Sequence, residues 1–262
     1  MKYSFIFSYR DRPDHIRITM PRIEDMVRHQ GLDFEIIVVE QNDDKKFRRA
    51  NLLNEGAKYA TGDILVFHDI DYYPSSLNQQ YYDGVSDVFL PVRRVEFMNN
   101  DLTPRDPNDV PRGYRHFKIS VDENFFGAVS VFTRDAFFKI NGFSPLFVGW
   151  GVEDADLRAR VYHYGLSVKR SDDNLFYALN HVDSGPEHND PDFIRNMHLE
   201  HVWQQHLDKG VTNQPSTSSE GGCLFSEGWA KHVRWIQATN FDPPVVGSQT
   251  IVASSFDWLT DL

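Results

Sequence analysis

Cysteine is almost missing from this 262-residue chain, where Cys223 stands alone. No disulfide can close within it, and such usage is compatible with a reducing compartment. Long apolar runs are missing too. No stretch approaches the roughly 18 residues that read as a membrane span, and no apolar leader follows Met1-Lys2-Tyr3. The expectation is a chain without a transmembrane segment, working in the cytoplasm or at the periphery of a membrane. Positive charge is in deficit as well. With 27 Lys and Arg against 38 Asp and Glu the formal net charge is -11, which argues against a nucleic-acid partner, because polyphosphate backbones need clustered cations. A small phosphorylated ligand in a local basic pocket stays open. No internal repeat is visible. The remaining composition, 40% hydrophobic and 25% charged, is that of a globular protein long enough to bury a sizeable core.

Among what is present, the stretch from Gly62 to Pro74 says most. Ile64 to Phe67 is a short apolar run between Gly62 and Pro74, which predicts a buried strand. Asp69 and Asp71 follow at its end, and in an extended chain that spacing points both carboxylates to one side. Two such groups repel each other unless a cation sits beside them. Magnesium or manganese takes one or two carboxylates together with substrate phosphates, and open α/β sheets bind ligands beyond the carboxyl ends of their strands. The pair therefore reads as a metal site for a nucleoside diphosphate. A polar turn is the plainer reading, since Asp-x-Asp is common.

The chain reaches that point by alternation. Tyr3 to Ser8 predicts a first strand, running into Arg10 and Arg12, which suit phosphate oxygens as well as a solvated turn. Ile16, Ile23, Met26 and Val27 predict a helix, capped near Asp14 and kinked or restarted at Pro21. Phe34 to Glu40 is the second strand. Phe47, Ala50, Leu53, Ala57 and Ala60 recur at helical spacing, with Arg48, Arg49 and Asn51 on the other side. Strand, helix, strand, helix, strand implies a parallel, doubly wound sheet.

Further on, Val88 to Val92 predicts a strand and Asn99 to Gly113 a loop. Phe125 to Phe132 is apolar around Gly127, a sign that backbone or ligand comes close there. Arg134 to Ile140 is a short helix closed by Asn141-Gly142. Gly149-Trp150-Gly151 then frames a large flat ring, followed by Glu153, Asp154 and Asp156 in the first turn of a helix. The helix dipole favours acids there, and for Asp156 that reading weighs as much as a functional one. Leu166 to Arg170 and Phe176 to Leu179 predict strands, the second ending in Asn180-His181. Glu187 to Asp208 reads as helical, Gly210 to Gly222 as a linker, and Ser226 to Ile236 as a short helix.

Taken together, Phe7-Ser8-Tyr9-Arg10-Asp11-Arg12, Phe47-Arg48-Arg49-Ala50-Asn51-Leu52-Leu53-Asn54, Phe67-His68-Asp69-Ile70-Asp71, Phe126-Gly127-Ala128-Val129-Ser130 and Gly149-Trp150-Gly151-Val152-Glu153-Asp154-Ala155-Asp156 resemble the β-1,4-galactosyltransferase family of GT-A glycosyltransferases. The chain is also similar to chondroitin-type and polypeptide N-acetylgalactosaminyltransferase catalytic domains. The resemblance covers about residues 3 to 205. It implies a GT-A fold, a Rossmann-like mixed α/β sheet flanked by helices in one large domain with a C-terminal extension. The implied boundaries are residues 1–210 for the catalytic domain (nucleotide half about 1–75, acceptor half about 76–210) and 211–262 for a linker and extension of unassigned role.

The resemblance also implies roles. Arg10, Arg12 and Arg49 would face the diphosphate of a UDP-sugar donor, and Asp69 its ribose or sugar. Asp71 would hold manganese, with magnesium as the alternative, and Trp150 and Gly151 would lie on a loop closing over the sugar. Glu153 would orient a saccharide acceptor, including a lipid-linked one, and Asp154 would be the general base. These roles agree with elementary chemistry, since a diphosphate leaving group needs cationic charge and an acceptor hydroxyl needs a carboxylate to take its proton. The chain departs from animal members where they carry a methionine metal ligand three residues before a histidine. Here the pair is Ala178 and His181, so His181 acts with Asp71 and water, or Asp183 or His188 completes the shell. Phe125 stands where the family usually has a tyrosine, which favours an unacetylated, galactose-like sugar. The missing anchor, stem and disulfides suggest a bacterial or viral enzyme on the cytoplasmic side of glycan assembly. Two rivals remain: a sugar-nucleotide hydrolase or nucleotidyltransferase on a similar fold, and a non-catalytic carbohydrate-binding protein.

Overall fold

Alternation along β1 (Lys2–Tyr9) builds the centre of the molecule. Phe5 and Phe7 belong to the core on one face of the sheet and Ile6 to the core on the other, as a period of two requires. The computed structural model describes residues 1–82, 85–104, 106, 118–121, 123–180, 190–214, 216–221, 225 and 227–241. After β1 come α1 (Pro13–His29), β2 (Asp33–Gln41), α2 (Arg49–Tyr59), β3 (Ile64–His68), β4 (Tyr72–Pro74), β5 (Val88–Leu90) and β6 (Arg94–Met98). Then follow β7 (Lys118–Ser120), β8 (Val129–Thr133), α3 (Arg134–Lys139), α4 (Glu153–His163), β9 (Val168–Arg170), β10 (Leu175–Leu179), α5 (Pro191–His201), β11 (Thr217–Gly221) and β12 (Val233–Thr239).

The main sheet has the order β11-β12-β2-β1-β3-β8-β5-β9. Strands β12, β2, β1 and β3 run parallel, whereas β8 is antiparallel to both β3 and β5. The opening alternation foretold the parallel part. It could not foretell β8, because nothing in Phe125 to Phe132 marks strand direction. A second sheet, β4-β10-β6-β7, sits beside the first. Helix α1 lays Ile16, Met20, Ile23 and Val27 on one face of the main sheet, and α2 lays Leu52, Leu53 and Ala57 on the other.

Several expectations change. Helix α1 runs unbroken through Pro21, with Arg12 rather than Asp14 at its N-cap and Pro13 at its first position, where a missing N–H costs nothing. Arg48 and Asn51 are buried. The helix expected over Glu187 to Asp208 is α5 followed by a 3-10 turn, Trp203–His206. The supposed linker includes the edge strand β11, and the expected helix over Ser226 to Ile236 is a 3-10 turn, Gly228–His232, leading into β12. Serine and threonine signal flexibility by composition, but here Glu55 accepts hydrogen bonds from Ser216 and Ser218, and Gln214 Nε2 donates to the Asn51 carbonyl at 2.9 Å. Among the described residues no helix is long and apolar enough to cross a membrane.

Candidate active site

Parallel strands end at a common edge, and three of them converge there. β1 delivers Arg10 and Arg12, β3 delivers Asp69 and Asp71, and the segment after β2 delivers Lys46, Phe47 and Arg49. The loop 149–151 and the first turn of α4 face them across a cleft of about 830 Å³. Every site residue expected from the sequence and described in the structure lines this cleft: Arg10, Arg12, Arg49, Asp69, Asp71, Trp150, Gly151, Glu153 and Asp154. His181, with its alternatives Asp183 and His188, lies outside the described residues.

The geometry of the acid pair differs from the extended chain expected. Tyr72 N–H donates to the Asp69 carbonyl at 3.3 Å, so Asp69 and Asp71 stand on a tight turn between β3 and β4. Behind them His68 is buried. Its Nδ1–H donates to the Asp69 carbonyl at 2.8 Å, leaving Nε2 to accept from the Tyr82 hydroxyl at 3.1 Å. Burial pushes the His68 imidazole down to about 4, so it stays neutral and pins the turn.

Arg49 is the hub of the cleft. Its Nε donates to Asp69 Oδ1 at 2.6 Å and its Nη1 to Glu153 Oε1 at 3.3 Å. Burial works against its charge, but the two carboxylates outweigh that and hold its proton more tightly than usual. Burial also raises the Asp69 carboxyl, Asp71 adding to the effect and Arg49 opposing it. Glu153 is pushed up to about 7 by burial, with Arg49 opposing and Asp154 adding. Asp154 faces Gly127, and a Cβ on that glycine would stand 2.9 Å from Asp154 Oδ2 and 3.2 Å from the Phe125 ring. The close approach expected at Gly127 is thus to a carboxylate, which a side chain there would have to displace.

Trp150 is 51% exposed at the rim. Asp156, undecided from sequence, turns away from the cleft. Fully buried, it accepts from Arg160 Nε at 2.8 Å, and Arg160 Nη2 donates to the His206 carbonyl at 2.8 Å. It is a structural ion pair. His198 and His201 are at least partly exposed.

Other residues escaped sequence reading. Gln41 ties down the loop after β2, donating to the carbonyls of Lys45 (3.2 Å) and Lys46 (3.1 Å) and accepting from Arg48 N–H at 3.0 Å. Phe47 matched a helical core pattern, yet it lines the cleft with the Arg10 guanidinium 5.4 Å from its ring centre. Lys46 pairs with Asp192, and Phe193 of α5 also lines the cleft. No local signal marked these, because their partners are remote in the chain.

A divalent cation fits this edge in part. Asp69 and Asp71 offer the hard oxygens that manganese and magnesium prefer, and the repulsion raising Asp69 is of the kind a cation relieves. Among the described residues no group of three or more His, Cys, Asp or Glu is placed to hold a metal. A bound ion would therefore need His181 or oxygens of its substrate.

Two family models match the chain. One, the N-terminal region of glycosyl transferase group 7, covers residues 1–83. The other, described as the N-terminal domain of galactosyltransferase, covers residues 112–182. β-1,4-Galactosyltransferase 4 of Cricetulus griseus is 30% identical over 211 residues, 78% of this chain and 56% of its own length. β-1,4-Galactosyltransferase 6 of Homo sapiens is 32% identical over 186 residues, 66% of this chain and 42% of its own length. The chain thus spans about half the length of the curated relatives it matches. Among solved structures, a Drosophila β-1,4-galactosyltransferase 7 variant in complex with manganese, UDP-Gal and xylobiose aligns with a TM-score of 0.68 at 20% identity, over 93% of this chain and 95% of that one. TarS of S. aureus aligns with a TM-score of 0.52 at 15% identity, over 81% of this chain and 68% of that one. At those identities the solved structures speak for the fold, which is GT-A, while the sequence matches speak for the lineage. The chain belongs to the β-1,4-galactosyltransferase-like family of GT-A glycosyltransferases.

Proposed function

We propose that this chain is an inverting, metal-dependent glycosyltransferase that moves a sugar from a UDP-sugar to a hydroxyl of a saccharide acceptor. The observation that carries this reading is convergence. Cationic, acidic and aromatic residues from widely separated stretches meet in one cleft, and they are the residues to which the family resemblance assigns donor, metal and base roles. Arg10 and Arg12 draw the diphosphate to the edge where β1 ends, as guanidinium forks do. Arg49 holds Asp69 and Glu153 apart from each other and in fixed places. Asp154 takes the proton of the acceptor hydroxyl. The acceptor oxygen then forms its bond to the anomeric carbon while the carbon–oxygen bond to UDP breaks, its electron pair leaving on the diphosphate. A single displacement of this kind inverts the anomeric centre. Manganese or magnesium, when bound, supplies charge that stabilises the leaving diphosphate, and Asp71 with His181 would hold it. Phe125 at the cleft wall favours a galactose-like donor, and lipid-linked saccharides are among the acceptors to try.

A panel of UDP-sugars, with and without manganese and saccharide acceptors, tests the reading. The expected result is a glycan product that requires both metal and acceptor. UDP-sugar cleavage indifferent to acceptor would favour a hydrolase, and binding without turnover a carbohydrate-binding protein. Asp71→Ala and His181→Ala should each weaken manganese-dependent UDP binding by at least about tenfold. If His181→Ala keeps full metal dependence while His188→Ala loses it, the histidine ligand is misassigned.

A further inference from the structure

The loop carrying Trp150 takes backbone conformations that its own sequence does not fix. Gly149 and Gly151 have φ of 72° and 102°, conformations that glycine adopts freely. Val152 follows at φ 61°, a left-handed conformation that a β-branched residue keeps only when its surroundings impose it. Helix α5 supplies the constraint. Asn196 is completely buried there. Its Nδ2 donates to the Val148 carbonyl at 2.9 Å and the Trp150 carbonyl at 3.2 Å, while its Oδ1 accepts from Val148 N–H at 3.4 Å. Two carbonyls on one side of the amide settle which end is the NH2 group. Asn196 therefore brackets Gly149 from both flanks. Gly149 N–H in turn donates to the Phe47 carbonyl at 2.8 Å, on the nucleotide side of the cleft. One helical turn before Asn196, Phe193 lies 5.7 Å from the Trp150 ring, and a Cβ on Gly151 would stand 3.2 Å from its edge.

We propose that Asn196 is the positioning residue for the Trp150 loop. By clamping both flanks of Gly149 it sets where the indole stands and, through Val152, where Glu153 and Asp154 enter their helix. Its effect on acceptor use rests on the transferase reading above, whereas its hold on the loop does not. An aliphatic side chain could fill the same space but would take the amide donor away from both half-buried carbonyls.

The test uses the full chain with Asn196→Ala and the isosteric Asn196→Asp, which keeps the acceptor oxygen and loses both donors. Acrylamide quenching of Trp150, assigned by the signal lost in Trp150→Phe, should change in both variants. The same change should vanish in the double variant with Trp150→Phe. In transfer assays the acceptor KM should rise about tenfold, a displacement-sized effect, while UDP–manganese affinity stays within about twofold. The loss in kcat/KM should be non-additive with Trp150→Phe, as coupling through one loop demands. Unchanged quenching in variants that melt near the parent would overturn the proposal. So would donor and acceptor affinity falling together in step with lost stability, or fully additive effects. Absence of transfer by the parent chain would count against the transferase reading, and the quenching result would still decide the role of Asn196.

Discussion

Helix α4 begins with two arginine–carboxylate sets that face different media. Glu153 shares Arg49 with Asp69 at the floor of an open cleft. Asp156, three residues on, is paired with Arg160 where neither side chain is exposed at all. Both are guanidinium–carboxylate bonds, 3.3 Å at Glu153 and 2.8 Å at Asp156. What differs is access. In the cleft, an incoming phosphate, hydroxyl or metal can compete for each charge, so the ion pairs are poised to exchange partners. In the interior nothing can enter, and the pair serves to orient α4 against the turn that holds His206. His206 completes that set, its Nε2–H donating to the Leu199 carbonyl at 2.9 Å so that Nδ1 accepts from Ser144 and Arg160. The first turn of one helix thus does two jobs because its successive acids point to different media.

Substitutions on the two sides should separate these jobs. The largest effect is expected at Asp154, between the two sets. Asp154→Asn keeps volume and one acceptor oxygen but cannot take up a proton, so turnover at saturating donor should fall about 10²–10⁴-fold. UDP and manganese titration should barely change. Near-normal transfer would move the base assignment to Glu153. On the interior side, Asp156→Ala leaves the Arg160 guanidinium buried and unpaired, which should cost about 3–5 kcal/mol in urea unfolding. The double variant Asp156→Leu/Arg160→Met should recover much of that loss. If Asp156→Ala costs no more than an ordinary surface change, the interior set is not structural and the contrast fails.

The smallest effect is the most specific to the cleft. Burial holds the Glu153 carboxyl at about 7, well above the 4.5 of a free glutamate. The folded chain therefore binds this proton more tightly than the unfolded chain. The stability it contributes is full below the unfolded value and is lost as pH rises through about 7. Glu153→Gln should flatten that part of the pH–stability curve in the metal-free protein. An unchanged slope between the two values would show that Arg49 compensates Glu153 fully.

Much of this could be read from the chain alone, and the reasons are local. Asp69, Asp71, Glu153 and Asp154 announce themselves because acids directly after an apolar strand or a glycine-framed tryptophan are poor core residues. The three parallel strands that collect them follow from alternation of apolar periods. Arg49 was expected to face a diphosphate, but that it is shared between Asp69 and Glu153 depends on a contact across more than a hundred residues, which no window reveals. Asn196 was invisible for the same reason. A single amide in a polar helix looks like surface until the loop it holds is in place. The C-terminal strands were missed differently, because Thr217 to Gly221 carries no apolar alternation and its pairing partner supplies the order.

That last pairing bears on synthesis. β12 lies parallel to β2, with Val233 opposite Ile36 and Ala238 opposite Gln41. During translation β2 emerges well before β12, so its outer edge stays an unpaired template until β12 has been made. An exposed edge rich in Ile and Val invites pairing with other chains, and contacts so remote in sequence form slowly. The nascent protein therefore carries a hazard of misassembly at the same sheet that later presents the arginines of the cleft, and sheds it when Trp235 and Ile236 arrive opposite Val38 and Val39.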